Sequence, residues 1–451
     1  MKNQPIVLYL FFFFLGTNQL SAQLPKGDRT LSWLVDKSEN DDLLQAFEFA
    51  QAGCIESSHL SITWSDIEPT EGSFDSDILN ILNTADYFYT FYSTELELQL
   101  AVTNTVIKTV PDDLIDVNYD DPVFITRYKR VLDSVFAHLP TVELSALNIG
   151  NESDILFGAD ASQYTAFKTF LDEVIPYAKT RYFELYGRDI KVGTTLTLYG
   201  LIDPIQGPLC EIVNDGLDIV SVTYYPLEND FTMKPISAIE SDFDALVAIY
   251  NNPSQPIYFA ECGFSSSEIC NSSEVRQAQF YSEVFQLWDK HYNQIKYLTI
   301  FKSTDWSYEA VEFYGTYYGI DDPIFLEYLR TLGVRTWDGD GTNKLAYEFI
   351  LCELEARDWC TTSCSLTAIE QTKNVGELTI APNPFTNQFT IQSNEPLAYV
   401  KLFSVTGEMV YESFTGSNRI DTSELPAGIY LVEVQTTTNE IWLEKVVKTA
   451  N

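Results

Sequence analysis

Residues 124–152 read FITRYKRVLDSVFAHLPTVELSALNIGNE. The first half carries apolar residues at helical spacing: Phe124, Tyr128, Val131, Leu132, Val135, Phe136 and Leu139 form one stripe. The second half, Leu144–Ile149, is a short apolar run without that period, as expected of a parallel strand buried on both faces. An amphipathic helix running into a buried strand is one step of an α/β fold. The strand ends in Asn151-Glu152, so a carboxylate stands at its C-terminal end.

The same step recurs on both sides. Candidate strands are Thr30–Val35, Leu60–Thr63, Leu96–Thr103, Leu144–Ile149, Ile190–Thr195, Ile219–Thr223, Ile257–Ala260 and Tyr297–Phe301, with helical periodicity in the intervals. Eight strand–helix units between residues 28 and 305 predict a (β/α)8 TIM barrel. A doubly wound sheet would give similar runs. The chain lacks GxGxxG and GxxxxGK[ST], which argues against a nucleotide-binding fold.

With 27 Lys+Arg against 65 Asp+Glu, the net charge is −38. Phosphate backbones would be repelled, so nucleic acid is excluded as an expected partner and a neutral ligand such as an uncharged polysaccharide fits. The 7 Trp, 27 Tyr and 29 Phe suit stacking on sugar faces, although most aromatic residues in any globular chain serve its core. Three His and no paired CxxC point away from zinc, and neither a metal nor a cofactor is expected.

The N-terminus reads as a signal peptide, residues 1–22. Lys2 precedes an apolar run from Ile6 to Gly16, too short to span a bilayer, and Leu20-Ser21-Ala22 forms a small-residue cleavage site. No later segment reads as membrane-spanning, and a secreted or cell-surface protein, monomeric, is expected. Export permits disulfides among Cys54, Cys210, Cys262, Cys270, Cys352, Cys360 and Cys364, with at least one thiol left over. Cys262 and Cys270 are spaced to close a short loop.

The domain plan is a catalytic barrel over 23–364, a polar linker over 365–376 and an all-β module over 377–451. Within that module Leu378-Thr-Ile and Phe389-Thr-Ile flank Pro382-Asn383-Pro384. Val400-Lys-Leu-Phe and Met409-Val-Tyr flank a turn at Thr406-Gly407, and Ile429–Val434 and Trp442–Val447 complete a small β-sandwich. These motifs, with Leu425-Pro-Ala-Gly-Ile-Tyr430 and the terminal Lys445-Val-Val-Lys448, resemble the type A sorting domain of the type IX secretion system of Bacteroidetes. The resemblance implies passage through the outer membrane by that machinery, then release or surface attachment. An ordinary accessory sandwich, carbohydrate-binding or otherwise, is the plainer reading of the same strands.

In a TIM barrel the reactive residues follow the strands. Strand four ends in Asn151-Glu152 and strand seven in Glu261. A lone Glu there is usually a salt-bridge or capping partner. Two carboxylates across one mouth, however, are the minimum set for glycoside hydrolysis. The pair resembles that of clan A glycoside hydrolases. The resemblance implies that Glu152 is the acid/base, Glu261 the nucleophile and Asn151 a ligand of the sugar 2-hydroxyl, with retention of configuration.

Trp64-Ser-Asp-Ile-Glu68-Pro69 resembles the segment after strand two in that clan, with Trp64 lining a sugar subsite. Asp218–Pro226 resembles strand six of the family 53 endo-β-1,4-galactanases, with families 42, 17 and 5 of the clan left open; in that clan Tyr224 or Tyr225 would hydrogen-bond the nucleophile. Trp306, after strand eight, is placed as a stacking platform. For Trp64 and Trp306 the plain alternative is core packing. Two features depart from the clan: no Arg is found near the end of strand two, and Ser153 stands where many members have Pro. Asn151-Glu-Ser153 also spells a glycosylation sequon, at a position too buried to use it.

The sequence thus reads as a secreted retaining glycosidase acting on a neutral β-linked polysaccharide, a galactan or another β-glycan. The alternatives are a barrel that binds carbohydrate without turnover and a surface adhesion protein.

Overall fold

In a computed structural model of the chain, residues 23–339 and 341–360 are described, as are residues 379–448 apart from 394–395, 405–408, 415–417, 424, 427 and 438–440. The expected signal peptide, Cys364, the expected linker and the expected Thr406-Gly407 turn lie outside the described residues.

Each expected barrel strand has a counterpart: β1 (Thr30–Trp33), β2 (Ser57–Thr63), β3 (Glu95–Ala101), β4 (Leu144–Asn148), β5, β6 (Val220–Tyr224), β7 (Ile257–Cys262) and β8 (Ile295–Ile300). Strand β5 is broken into Val192–Gly193, which pairs with β4, and Thr195–Thr197, which pairs with β6. The two pieces are the ends of one nine-membered hydrogen-bonded order, so the parallel sheet is a ring interrupted only at Thr194. First and last strands meet in register, Thr30 beside Tyr297 through Trp33 beside Ile300.

Helices α1 (Leu43–Ala52), α2 (Ser76–Phe91), α3 (Pro122–Ala137), α4 (Ala161–Tyr186), α5 (Gly207–Asn214), α6 (Ile239–Ile249) and α7 (Glu274–Lys290) alternate with the strands. After β8 come α8 (Tyr308–Tyr318), α9 (Pro323–Arg330) and α10 (Leu345–Ala356). Helix α3 starts where Asp121 caps the backbone N–H of Val123 at 2.7 Å and Pro122 occupies the first turn. Its stripe is buried. Each such large side chain contributes roughly 1.5–3 kcal/mol of hydrophobic stabilisation.

The strands are less uniformly apolar than their expected pattern. In β3, Leu96, Leu98 and Leu100 alternate with Glu97 and Gln99, and in β2 Ser57, His59 and Ser61 alternate in the same way. The reason is a polar ring interior. Tyr297 donates to Ser57 at 2.7 Å, Ser57 meets Ser145 at 2.9 Å, and Ser61 donates to Gln99 at 2.6 Å. These interior groups are partnered across strands, whereas the buried hydroxyls of Thr194 and Thr299 make no hydrogen bond among the described residues.

The chain's first and last barrel elements are joined by a buried ion triad. Arg29 and Arg357 donate to the two oxygens of Asp289 at 2.8 and 3.0 Å, and the Arg29 guanidinium lies 5.0 Å from the Trp288 ring and 5.4 Å from Trp359. A disulfide, Cys54–Cys360, makes a second link. Cys352 is also disulfide-bonded. Cys262 and Cys270 are not paired: both are free and buried, as is Cys210. The Cys270 thiol turns instead to the Ile324 carbonyl in α9, at 3.5 Å, which corrects the expected loop-closing bridge.

The C-terminal module has its own core, including Phe385, Phe389, Ile391, Leu402 and Val432. Thr379–Ala381, Gln388–Gln392 and Arg419–Asp421 form one antiparallel sheet; Met409–Ser413, Leu397–Ser404, Gly428–Thr436 and Ile441–Lys448 form another. Its sequence motifs meet in space. Asn383 accepts from the Val447 N–H at 2.9 Å, and the buried Lys448 ammonium donates to the Thr422 and Leu425 carbonyls.

Replacing Asp289 with Ala would leave the buried Arg29 guanidinium without its counter-ion and Arg357 with Glu353 alone. The expected cost is about 3–5 kcal/mol, read as a lower urea midpoint of the barrel transition with the tail transition unchanged.

Candidate active site

Strand β4 delivers Glu152 through a tight turn. Gly150 has φ +92°, and a Cβ there would lie 2.9 Å from the Thr103 hydroxyl and 3.0 Å from that of Ser153. Glu152 itself is left-handed, φ 47°, and heads the short helix Ser153–Phe157. Its two carboxylate oxygens each accept a hydroxyl, Thr105 on one and Thr223 on the other, both at 2.7 Å. Glu261, next to the last residue of β7, accepts the Tyr225 phenol at 2.6 Å.

The two carboxyl groups are electrostatically joined. Burial, then the neighbouring Glu152 charge, pushes the Glu261 pKa up to about 7, against the pull of His59 and the Tyr225 hydrogen bond. Burial also raises Glu152, opposed by its two threonine hydrogen bonds. Near neutrality the pair therefore favours holding a single proton. Two donors serve Glu152 and one serves Glu261.

Asn151 is buried, its amide held by Gln99 at 3.1 Å and by Asn104 at 3.0 Å. Tyr225 and Tyr224 part company. Tyr224 is fully buried against Phe243 and Phe259 outside the ring and donates to Asp242 at 3.0 Å, which removes it from the candidate ligands of the site. Trp64 is likewise withdrawn: it is fully buried between Phe124 and Tyr128, and its indole N–H donates to Glu68 at 2.8 Å. Trp306 is half-buried at the mouth, one face covered by the Lys302 ammonium 3.0 Å from the ring centroid. Lys302 also pairs with Asp36 at 2.9 Å.

Several residues of the site were not read from the sequence. Thr105 and Thr223 are two; the alternation of β6 puts Thr223 and Tyr225 on one face and Tyr224 on the other, a usable signal. Beneath the carboxylates, His59 contacts Glu97, and Glu97 also accepts from Asn148. Where an Arg of strand two was sought, His59 is the cation whose field reaches Glu261. Tyr314, Tyr317, Tyr318 and Tyr328 from α8 and α9 lie within the field of one or both carboxylates, and no strand-end pattern marks them. Among the described residues, no group of three or more His, Cys, Asp or Glu is placed to hold a metal ion, and no helix is long and apolar enough to cross a membrane.

Residues 379–449 match the family of the secretion system C-terminal sorting domain. The chain thus carries a type IX sorting domain, which marks a secreted or cell-surface protein. No curated protein matches the sequence. Among solved structures, the barrel is similar to an exo-beta-1,4-mannosidase from Opitutaceae bacterium strain TAV5, with 15% identity and a TM-score of 0.52 over 75% of this chain; the match spans 61% of the mannosidase. It is also similar to a GH5_18 protein of Bifidobacterium longum subsp. longum in complex with Manb1-4GlcNAc, at 11% identity and TM-score 0.55, covering 74% of this chain and 80% of the other. At such identities the likeness establishes the fold alone: a TIM barrel.

The raised pKa of Glu261 has a stability consequence. A carboxyl whose folded pKa, about 7, exceeds its ordinary value, 4.5, stabilises the native state at low pH and loses that contribution as pH rises between the two values. Glu261→Gln removes this group and relieves Glu152. The wild-type-minus-variant difference in unfolding free energy should therefore fall by on the order of 2–3 kcal/mol between about pH 4.5 and about pH 8, measured by denaturant titration.

Proposed function

We propose that the barrel is a retaining glycoside hydrolase acting on a neutral β-linked glycan, with Glu261 as nucleophile and Glu152 as acid/base. The observation that carries this reading is the half-buried carboxyl pair from β4 and β7, electrostatically joined and each supplied with hydroxyl donors at the barrel mouth. Glu261 attacks the anomeric carbon while Glu152 protonates the departing oxygen. Water, deprotonated by Glu152, then releases the sugar from Glu261. This double displacement needs carboxyl groups roughly 5–5.5 Å apart. Tyr225 holds Glu261 ionised and aimed. The leaving-group oxygen needs a proton, so Glu152 carries it when substrate displaces Thr105 or Thr223. Asn151 is the candidate ligand of the 2-hydroxyl and Trp306 of a sugar face.

The substrate class follows from the net charge of −38, which disfavours polyanions, and from the resemblance of strand six to the galactanases. The mannosidase among the structural neighbours adds β-mannan to the glycans worth assaying. A non-catalytic binder is favoured by one observation, that both Glu152 oxygens already have protein partners.

Turnover on galactan, mannan and β-glucan separates the two: new reducing ends are expected, and binding without them would establish the binder. The roles separate under azide rescue. Glu261→Ala should abolish turnover and yield an α-glycosyl azide from an activated β-glycoside, because azide enters on the face the carboxylate vacated. Glu152→Ala should spare substrates with good leaving groups and yield the β-azide. A first sugar product of inverted configuration would sink the retaining mechanism.

Removing residues 377–451 should block export while the purified barrel keeps its activity. Loss of that activity would place part of the site in the tail.

A further inference from the structure

Between β8 and α10 the chain makes a long excursion, residues 303–344, which carries α8 and α9. Most βα connections are only a few residues long, and longer ones are commonly functional. This one reaches across the mouth. Tyr317 in α8 donates to the Asn104 carbonyl at 2.8 Å. Asn104 belongs to the small hairpin Thr103–Asn104/Ile107–Lys108 that follows β3. In ring order β1 and β2 lie between β8 and β3, so the contact is a chord over both.

The chord runs beside the reactive groups. On the hairpin, Thr105 donates to Glu152 and Asn104 accepts from Asn151. Tyr318 meets the Thr105 side chain. From α9, the buried Tyr328 packs edge-on against Tyr225, the donor to Glu261, with ring centroids 6.1 Å apart at 87°. Both carboxylates thus have a tyrosine of this excursion one residue away. A polymer lying through the mouth needs open space on both sides of the cleaved bond, and the sector over β1 and β2 is bridged.

We propose, on the reading of the site as a glycosidase centre, that the α8–α9 excursion makes it a chain-end pocket: it admits the terminus of a β-linked glycan and excludes an internal stretch. Tyr317 and Tyr318 are then specificity-determining through the Asn104–Thr105 hairpin, not through the chemistry.

The test uses the full chain and ladders of β-1,4-linked manno-, gluco- and galacto-oligosaccharides from disaccharide to hexasaccharide, with the corresponding polymers. A pocket releases the same small product from every length, and polymer viscosity falls no faster than reducing ends appear. Early mixed oligomers with a sharp viscosity drop would overturn the pocket and leave the glycosidase reading intact. If no glycan is turned over, that reading fails, and calorimetric affinity against chain length still decides the pocket. A pocket changes Kd less than about twofold per unit beyond the terminal few. A steady gain with each added unit overturns it, and so does the absence of any binding.

Discussion

Everything at the mouth depends on closure of the strand ring. Parallel pairing of β1 with β8 fixes which residues of distant segments share a level, and a shift of one residue would exchange the inward and outward sets. Closure brings residues 152 and 261, more than a hundred positions apart, into one electrostatic unit. The break in β5 accommodates the ring: one piece follows β4 and the other β6, and the strand bends at Thr194 without losing either neighbour. The ion triad at Asp289 and the disulfide at Cys54 reinforce the same closure by joining the first strand and helix to the last helical segment.

The polar interior accounts for the unusual charge state above it. A core of Val, Ile and Leu would offer no dipoles beneath Glu152 and Glu261, and both would stay protonated across the neutral range. Here His59, paired with Glu97, supplies a positive field, and Thr105, Thr223 and Tyr225 supply donors. One negative charge can then be kept at the mouth. Interior polarity thus serves the carboxylates rather than stability.

Most of the barrel was legible because buried parallel strands and amphipathic helices leave opposite local signatures, as in residues 124–152. Glu152 and Glu261 were legible for the same reason: a strand end is a position that sequence alone can locate. What failed was side-chain direction. Trp64 and Tyr224 lie near strand ends as expected, yet one fills the gap beneath α3 and the other faces α6. Cys262 and Cys270 are close in sequence, but the thiol of Cys270 turns to α9, a partner more than fifty residues on. The tyrosines of α8 and α9 were invisible because their approach to the site depends on how a long loop folds back, and no short-range period encodes that.

The Cys54–Cys360 pairing sets an order of events. Synthesis or translocation from the N-terminus presents Cys54 long before Cys360, with Cys210, Cys262 and Cys270 arriving between them. In an oxidising compartment each of those thiols is an earlier partner for Cys54. The native bridge therefore has to wait until α5, β7 and the turn after β7 have packed and hidden their thiols. Oxidation then records a barrel already formed, and a chain oxidised too soon would be trapped by cysteines that the finished fold never exposes.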